Sequence, residues 1–319
     1  RIVAIGGGTG LPTLLRGLTQ FTSNITAIVT VADDGGSSGR LRRQLEMLPP
    51  GDFRNNIAAL ARDEALMTQL LQYRFGGSPT SKDRSELEGH AFGNLLLAAL
   101  TGITGSFEEA LLAAARVLAI RGQVLPSTLD NVTLAAEVRV ANDPAGPPAV
   151  QRVVGESLIP MTAGQIQRIS LEPSDVRAYP PAVQAIFKAD LIAIGPGSLF
   201  TSILPNLLVP GLADALRHSK ALKVYVCNLA VQPGETDNYT VADHVAALTR
   251  HVPPDCIDVV LANDKLNVDP DAGGGHTILV RPAALPPGMR LEQMDLVEEG
   301  RPWRHDSDKL ARAMMRFLA

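Results

Sequence analysis

The chain has little cysteine, and its two cysteines carry none of the spacings that bind a metal. Cys227 falls in an apolar strand pattern and Cys256 precedes another, so we expect two buried thiols rather than a disulfide or a zinc site. A reducing compartment suits such thiols, and no signal peptide is recognisable. The sequence therefore predicts a cytoplasmic protein.

Blocks of charge and long apolar runs are also missing. Lys and Arg number 29 against 33 Asp and Glu in 319 residues, which gives a formal charge of −4 with no basic stretch. This balance disfavours general electrostatic binding to nucleic acid or anionic membrane. No apolar run reaches the roughly 18 residues that a membrane helix needs. We therefore expect a globular protein with no nucleic-acid partner and no membrane span.

The first ten residues carry the clearest motif. An apolar run at residues 2–5 breaks into Gly-Gly-Gly-Thr-Gly at 6–10, and a helical pattern with Pro12 in its first turn follows. This order is typical of the opening strand, glycine turn and helix of a doubly wound sheet, where backbone N–H groups bind an anion. Leu11 replaces the third glycine of the dinucleotide fingerprint, so a plain strand-to-helix connection stays open as the alternative.

A second strand pattern, at residues 24–32, ends in an acidic, glycine-rich tip. The tip reads Asp33-Asp34 and then Gly-Gly-Ser-Ser-Gly at 35–39. Neighbouring parallel strands end in one crevice, so we expect this tip beside the first glycine turn. Adjacent carboxylates repel unless they meet a cation, a ribose hydroxyl or backbone donors; a capping aspartate beside a solvated one is the alternative. We also expect residues 35–39 to be a loop that closes over a ligand.

Three further polar positions interrupt helical patterns. Arg54 stands in an unusually polar helix entry and is a candidate partner for a phosphate or a carboxylate. His90 and Asn94 begin an apolar helix pattern and, four residues apart, share one helical face. We expect Asn94 and His90 to face the crevice, with a helix cap or a packed core residue as the alternative.

A second strand, glycine turn and helix follow at residues 189–202. The turn lacks the Gly-Lys-Ser/Thr ending of a P-loop but offers Ser198 and Thr201 to an anion. Prolines and short strand patterns at about 141–184 indicate an inserted hairpin region. The sequence predicts a single Rossmann-like, doubly wound, mainly parallel α/β domain over 1–319. Its nucleotide-binding core is residues 1–140 and 185–319, and a smaller α/β region is inserted between them.

Six motifs stand in an order that is specific as a set. They are GGGTGL at 6–11, VADDGGSSG at 31–39, PPGDFRN at 49–55, GHAFGNL at 89–95, IGPGSLFTS at 194–202 and QPGETD at 232–237. Together they resemble the YvcK-like gluconeogenesis factors, relatives of CofD, the 2-phospho-L-lactate transferase of deazaflavin coenzyme synthesis. The resemblance implies a cytoplasmic protein with a nucleotide held between the glycine turns. In the YvcK-like branch the implied ligand is a UDP-sugar, and the role concerns cell-wall growth and shape on gluconeogenic carbon.

The motifs and the resemblance together give the candidate site residues. Those expected to bind the nucleotide and its phosphates are Gly7, Gly8, Thr9, Gly10, Leu11, Arg54, Gly195, Gly197, Ser198, Thr201, Asn228, Thr236, Asp237 and Arg304. Those expected on the sugar or reactive side are Asp33, Asp34, Ser37, Ser38 and Asn94. Asp33 and Asp34 are also the implied ligands of Mg²⁺, and the catalytic residues of an enzyme.

Three functions stay open from the sequence. The first is a regulatory protein that binds a UDP-sugar or another nucleoside diphosphate without turning it over, acts through a protein partner and forms a homo-oligomer. The second is a CofD-type transferase that moves a phospho-acyl group from a nucleoside diphosphate carrier with Mg²⁺. However, the Gly-Gly-Ser-Ser-Gly sequence after the aspartates departs from that of the transferases. The third, a nicotinamide-dependent oxidoreductase, depends on the first glycine turn and Asp33 alone and lacks the third glycine.

Overall fold

A computed structural model describes residues 1–76, 85–140, 149–269, 277–286 and 288–318, and a parallel β-sheet forms its centre. The strands are β1 (Ile2–Gly6), β2 (Ile25–Val29), β3 (Gln123–Pro126), β4 (Thr133–Val140), β5 (Ala149–Val154), β6 (Gln165–Glu172), β7 (Leu191–Ile194), β8 (Leu222–Val226), β9 (Val259–Asn263), β10 (Arg290–Met294), β11 (Val297–Glu298) and β12 (Arg301–His305). The seven-stranded sheet has the order β10-β9-β8-β7-β1-β2-β3, and all its neighbouring strands are parallel.

Helices flank this sheet. The α-helices in the described ranges are α1 (Gly10–Leu18), α2 (Gly36–Leu45), α3 (Gly51–Leu60), α4 (Glu64–Gln72), α5 (Phe92–Thr104), α6 (Phe107–Val117), α7 (Pro180–Lys188), α8 (Leu204–Leu207), α9 (Pro210–His218), α10 (Val241–His251) and α11 (Ser307–Arg316). A π-helical segment, Leu199–Ile203, leads directly into α8, and short 3₁₀ turns lie at Glu156–Leu158 and Pro254–Cys256.

The central strands explain why the sheet is parallel. Every residue of β1, β2 and β7 is buried, as expected for strands covered by helices on both faces. The strand order runs from β1 to β2 and β3 on one side, and from β1 to β7 through β10 on the other. This confirms the predicted Rossmann-like α/β fold and puts its topological switch point between β1 and β7.

The glycine-rich tip after β2 is the start of a helix, so the prediction of a closing loop over residues 35–39 is wrong. Helix α2 begins at Gly36, and the Asp33 carboxylate accepts a hydrogen bond from the Gly35 N–H at 3.0 Å. A Cβ atom at Gly39 would clash with the backbone carbonyl of Asp34. Gly39 therefore serves close packing of the first helical turn rather than loop mobility.

The inserted region is a small antiparallel sheet with the order β5-β4-β6. The sequence boundary at residue 140 assigns β4 to the core, but in the structure β4 pairs with β5 and β6 instead of with the large sheet. β6 covers the strand pattern at 166–171 in the predicted insertion. Residues 141–148 of that insertion lie outside the described residues.

The hairpin of β11 and β12 and the helix after it pack beside α1. Gly17 has no side chain where the backbone of Ser307 crosses α1, and the Ser307 hydroxyl donates to the Thr13 carbonyl at 2.9 Å. This contact holds β12 next to the N-terminal half of α1. A residue late in the sequence, Arg304, thereby comes near the first glycine turn.

Two simpler expectations concern the cysteines and the membrane. Cys227 and Cys256 are buried and free, as predicted. Over the described ranges, each helix taken alone is too short or too polar to cross a bilayer. Two bent pairs, Phe92–Thr104 with Phe107–Val117 and Leu199–Leu207 with Pro210–His218, pass on length and composition only when joined.

Candidate functional site

The two glycine turns meet at the switch point between β1 and β7. A Cβ atom at Gly10 would lie 2.6 Å from the carbonyl oxygen of Pro196 and 2.9 Å from the backbone nitrogen of Gly197. Glycine alone lets the two backbones approach this closely. Gly8 has a φ of 62°, a left-handed conformation that glycine adopts without strain. The two turns therefore form one composite surface.

A cleft of about 780 Å³ opens over this surface. Such a volume suits a bound small molecule, since ligand pockets span roughly 300–1,000 Å³. The first turn and α1 form one side, and residues 196–198 of the second turn form the base. The loop after β8, at residues 228–233 with Glu235, and residues 303–305 of β12 also line the cleft, and Asn55, Thr68 and Gln72 complete the lining.

The start of α1 lies at this cleft and is uncapped. The first turn of α1 contains no acidic residue, and no side chain caps the helix at Thr9. Free N–H groups at a helix start carry partial positive charge, which makes this end of α1 the natural place for a phosphate. Arg16 and Arg304 line the same cleft and add cationic side chains. Each also has a carboxylate partner, Glu64 at 2.7 Å and Glu298 at 3.5 Å respectively.

A chain of amides ties the second turn to the loop after β8. The Asn228 side-chain oxygen accepts from the Gly197 N–H at 3.4 Å, and its amide donates to Gln232 at 2.9 Å. The Gln232 amide in turn donates to the Ser198 hydroxyl at 2.7 Å. These contacts fix the positions of neutral donors and acceptors along one wall of the cleft.

Glu235 brings a carboxylate to this wall. The Thr201 hydroxyl donates to its Oε1 at 3.2 Å, while Oε2 is buried and has no hydrogen-bond partner in the described part of the chain. Burial raises the pKa of Glu235 to about 7, against hydrogen bonds from Thr201, Phe200 and Ser198 that favour the charged form.

A buried polar network lies beneath the cleft, around the start of α2. The Ser37 hydroxyl is 3.0 Å from His90 Nδ1, and the Asn94 amide donates to it at 3.0 Å. The same amide lies 3.4 Å from the Ser38 hydroxyl. His90 precedes α5 rather than sharing a helical face with Asn94, yet both side chains meet at Ser37.

This network continues to the first glycine turn through Arg54. The buried Arg54 guanidinium donates to Asn94 at 3.1 Å and to Asn55 at 2.9 Å, and the Asn55 amide lies 3.4 Å from the Gly8 carbonyl. Gly93 makes room for the Arg54 side chain, since a Cβ atom there would lie 2.6 Å from Arg54 Cγ. Arg54 thus supports the wall of the cleft from behind instead of lining it.

Two half-buried carboxylates lie close to the first turn. Asp52, at the start of α3, accepts a hydrogen bond from the Gly8 N–H, and burial together with the charge of Asp33 raises its pKa to about 7. Burial also raises the pKa of Asp33, although hydrogen bonds from Gly35 and Ser38 oppose the shift. Neither carboxylate lines the cleft itself.

Asp34 has a different environment from its neighbour. Its carboxylate oxygens accept from the N–H groups of Glu156 at 3.0 Å and Ser157 at 2.9 Å, so the side chain fastens the inserted region to the tip of β2. Burial and the charges of Asp33, Asp52, Asp34 and Glu235 raise the pKa of Glu156 to about 8.

Among the residues that the structure describes, no three His, Cys, Asp or Glu side chains converge as a metal cluster.

The predicted site residues fall into three groups. Those that line the cleft are Gly8, Thr9, Gly10, Gly197, Ser198, Asn228 and Arg304. Those in the buried layer beneath it are Asp33, Asp34, Ser37, Ser38, Arg54, Asn94 and Thr201. The remaining five, none of them in the lining, are Gly7, Leu11, Gly195, Thr236 and Asp237.

These five residues support the turns in different ways. Gly195 has a φ of 85°, and a Cβ atom there would lie 3.1 Å from the Val226 carbonyl oxygen of β8. Gly7 packs against Asp52, and the Leu11 side chain is buried in the core while its backbone belongs to the first turn of α1. The Thr236 hydroxyl accepts from the Gln232 N–H at 3.0 Å, and Asp237 accepts from the Gly234 N–H at 2.8 Å. Thr236 and Asp237 therefore shape the loop after β8.

The candidate site residues from the sequence did not include four titratable residues of this region, namely Asp52, Glu156, Glu235 and His305. Asp52 lies in the PPGDFRN motif and Glu235 in the QPGETD motif, but a motif does not show where these side chains point in the fold. His305 lines the cleft, its Nε2 is buried without a partner in the described residues, and burial lowers its pKa to about 4.

Comparisons with known proteins agree on one family. A family model described as 2-phospho-L-lactate transferase CofD matches residues 2–315. The "Gluconeogenesis factor" of Bacillus subtilis is 49% identical over 266 residues, covering 83% of this chain and 79% of that protein. A relative from Clostridium acetobutylicum, also named as a gluconeogenesis factor, is 53% identical over 268 residues, and the match spans 83% of this chain but only 56% of the relative.

A solved structure supports the same assignment. The crystal structure of a UPF0052 family member from Bacillus halodurans superposes with a TM-score of 0.85 at 41% identity, covering 98% of this chain and 99% of that one. The fold, the six motifs, the sequence similarity and the structural similarity all indicate the same family along nearly the whole chain. The chain belongs to the CofD family, in the branch of the YvcK-like, UPF0052 gluconeogenesis factors.

Proposed function

We propose that this protein binds a nucleotide sugar, specifically a UDP-sugar, in the cleft over the two glycine turns. The observation that carries the proposal is the uncapped start of α1, which faces the same cleft as the amides and hydroxyls of the second turn. A diphosphate can bind at the start of α1, and sugar hydroxyls can bind to the amides and hydroxyls of the second turn. Arg304, on β12, supplies a cation for the phosphates or the base.

We further propose that binding serves regulation of gluconeogenic growth, cell-wall synthesis and cell shape, through a protein partner. The names of the relatives support the link to gluconeogenesis. A regulatory protein needs to hold its ligand without consuming it. In the described part of the cleft, the titratable side chains of the lining are Arg16, Glu235, Arg304 and His305. General acid–base catalysis needs such a side chain to be positioned for proton transfer, and lining the cleft is not enough.

Calorimetry tests binding directly. UDP-glucose, GDP and NAD are titrated into the protein with and without Mg²⁺, and UDP-glucose is expected to bind best. Arg304→Ala should weaken UDP-glucose binding by about tenfold because a charge-assisted hydrogen bond is lost. Arg312→Ala, which removes an exposed arginine of α11, is the matched control and should bind as the wild type does. Equal binding of all three nucleotides, or none, would reject the proposal.

A CofD-type transferase is the second candidate, and the pair of half-buried carboxylates near the first turn favours it. Asp33 and Asp52 interact, and a divalent cation would relieve the repulsion between them. Asp34, by contrast, is engaged by backbone N–H groups. A bound Mg²⁺ would supply charge neutralisation at a transferring phosphoryl group. Prolonged incubation with UDP-glucose and Mg²⁺ separates the candidates: recovery of intact ligand supports the regulatory function, and product that Asp33→Asn abolishes supports the enzyme.

A further inference from the structure

The second glycine turn already holds an anion that belongs to the protein. The helical segment from Leu199 to Leu207 begins just after this turn, and its first N–H groups have no partners within the helix. The Thr201 hydroxyl donates to the Glu235 carboxylate at 3.2 Å, and the N–H groups of Phe200 and Thr201 and the Ser198 hydroxyl favour its charged form, which opposes the rise in its pKa caused by burial. Glu235 thus occupies the position where a phosphate would otherwise bind.

The loop after β8 holds this carboxylate in place. The Glu235 N–H donates to the Gln232 carbonyl at 3.0 Å, so the residue sits in a closed turn. Gly234, with a φ of 79°, lies against the backbone of Pro160 in the inserted region, where a Cβ atom would clash. Glu235 is only 8% exposed, and one of its oxygens has no partner in the described residues. A buried carboxylate held so firmly is a fixed feature of the cleft wall.

The two helix starts at the cleft therefore differ in charge. The start of α1 has no acidic residue and no capping side chain, and so it is free to bind an anion. The start of the second helix is filled by Glu235. Both helix starts border one cleft of about 780 Å³. A single ligand therefore meets positive partial charge at the start of α1 and the carboxylate of Glu235 at the start of the second helix.

We propose that Glu235 is a specificity-determining residue, which makes the second glycine turn reject a terminal phosphate and accept an uncharged, hydroxyl-bearing group. This inference rests on the proposed function, because it assumes a ligand whose diphosphate lies at α1. A diphosphate esterified with a neutral sugar then satisfies both ends of the cleft. A nucleoside triphosphate, or a free diphosphate that reaches the second turn, meets a like charge in a partly buried site, which is strongly unfavourable.

The first experiment examines the second turn without any nucleotide. It uses Glu235→Ala at about pH 9, where a group with a pKa about 7 is ionised in the wild type. Inorganic phosphate and formate are the probes. Glu235→Ala vacates a set of N–H and hydroxyl donors, so each probe should raise its melting temperature and shift the Phe200 and Thr201 amide resonances. The wild type and Glu137→Gln, which removes an exposed carboxylate from β4, should show neither effect. Equal responses in all three proteins would overturn the inference.

The second experiment measures selectivity. UDP-glucose, UDP and UTP are titrated into the wild type, Glu235→Gln and Glu137→Gln under the same conditions. The glutamine keeps the size of the side chain but loses its charge, so the affinity for UTP should rise about tenfold while that for UDP-glucose rises less. Unchanged ratios between the ligands in Glu235→Gln would also overturn the inference.

The two experiments separate this inference from the proposed function. If the wild type binds no uridine nucleotide, the proposed function fails, and the phosphate and formate response of Glu235→Ala still decides whether Glu235 fills an anion site. If UDP-glucose binds but Glu235→Ala gains no anion response, the proposed function stands and the role of Glu235 is rejected.

Discussion

Gly10→Ala should lower both the free energy of unfolding and the affinity of the cleft for UDP-glucose, because the two glycine turns are in contact at Gly10. The new Cβ atom would lie 2.6 Å from the Pro196 carbonyl oxygen, 2.8 Å from its carbon and 2.9 Å from the Gly197 nitrogen. All three neighbours are backbone atoms of a tight turn, so no side chain can swing aside. Ordinary van der Waals contact begins near 3.4 Å, and one turn must therefore move away from the other by about 0.8 Å.

Two opposing effects set the magnitude. Overpacking of this kind costs about 1–3 kcal/mol. Alanine is a better helix former than glycine by at most about 1 kcal/mol, and less at the first helical position. The net loss in the free energy of unfolding should be about 1–2 kcal/mol. A shift of about 0.8 Å between the turns also separates the groups that meet the ligand, so UDP-glucose affinity should fall at least tenfold.

Urea denaturation and calorimetry check this prediction, with Gly102→Ala as the matched control. Gly102 lies in α5, where an added Cβ atom meets nothing within 4 Å, so the same substitution should raise the free energy of unfolding by about 0.5–1 kcal/mol and leave binding unchanged. A Gly10→Ala protein as stable as the wild type, with the same affinity for UDP-glucose, would refute the idea that contact between the turns builds the cleft.

Other predictions concern the acidic residues. Asp33→Asn should leave the melting temperature unchanged or raised at about pH 8, because burial already disfavours the charged form of Asp33; a clear loss would contradict this. Asp34→Asn should lower it, because an amide is a poorer acceptor for the Glu156 and Ser157 N–H groups; an unchanged melting temperature would count against that role. The pKa of Glu156 is raised from 4.5 to about 8, so the folded state favours its protonated form, and stability is lost as the pH rises from the unfolded value to about 8. Urea denaturation should show that the unfolding free energy falls less between about pH 7 and about pH 8.5 in Glu156→Gln than in the wild type. Equal falls in the two proteins would reject a raised pKa of Glu156 as the cause.

Local patterns were enough to predict the sheet and the turns. The run at residues 2–5 and the Gly-Gly-Gly-Thr-Gly sequence after it define a buried strand and a strand-to-helix turn without any distant contact. The second unit, ending in Gly195 and Ser198, has the same pattern. Both strands are parallel and adjacent, so both turns lie at one edge of the sheet, as expected.

Features that depend on distant residues escaped prediction. The sequence around Asp33 and Asp34 suggests a pair, but the two carboxylates part because residues of the inserted region bind only Asp34. Residues 35–39 have the composition of a loop, and only their packing on the Asp34 backbone shows why they form a helix. Glu235 is the sharpest case, since its partner Thr201 stands 34 positions away. The site residues named from the motifs stay predictions until binding is measured.

The position of β12 against α1 has a consequence for the timing of synthesis. The first glycine turn is synthesised some 300 residues before Arg304, which lines the same cleft. A nascent chain therefore carries the first glycine turn long before β12 can contribute to the lining of the cleft. Ligand should be retained only after residues 301–305 have left the ribosome and docked, so a chain interrupted before residue 301 should not retain it.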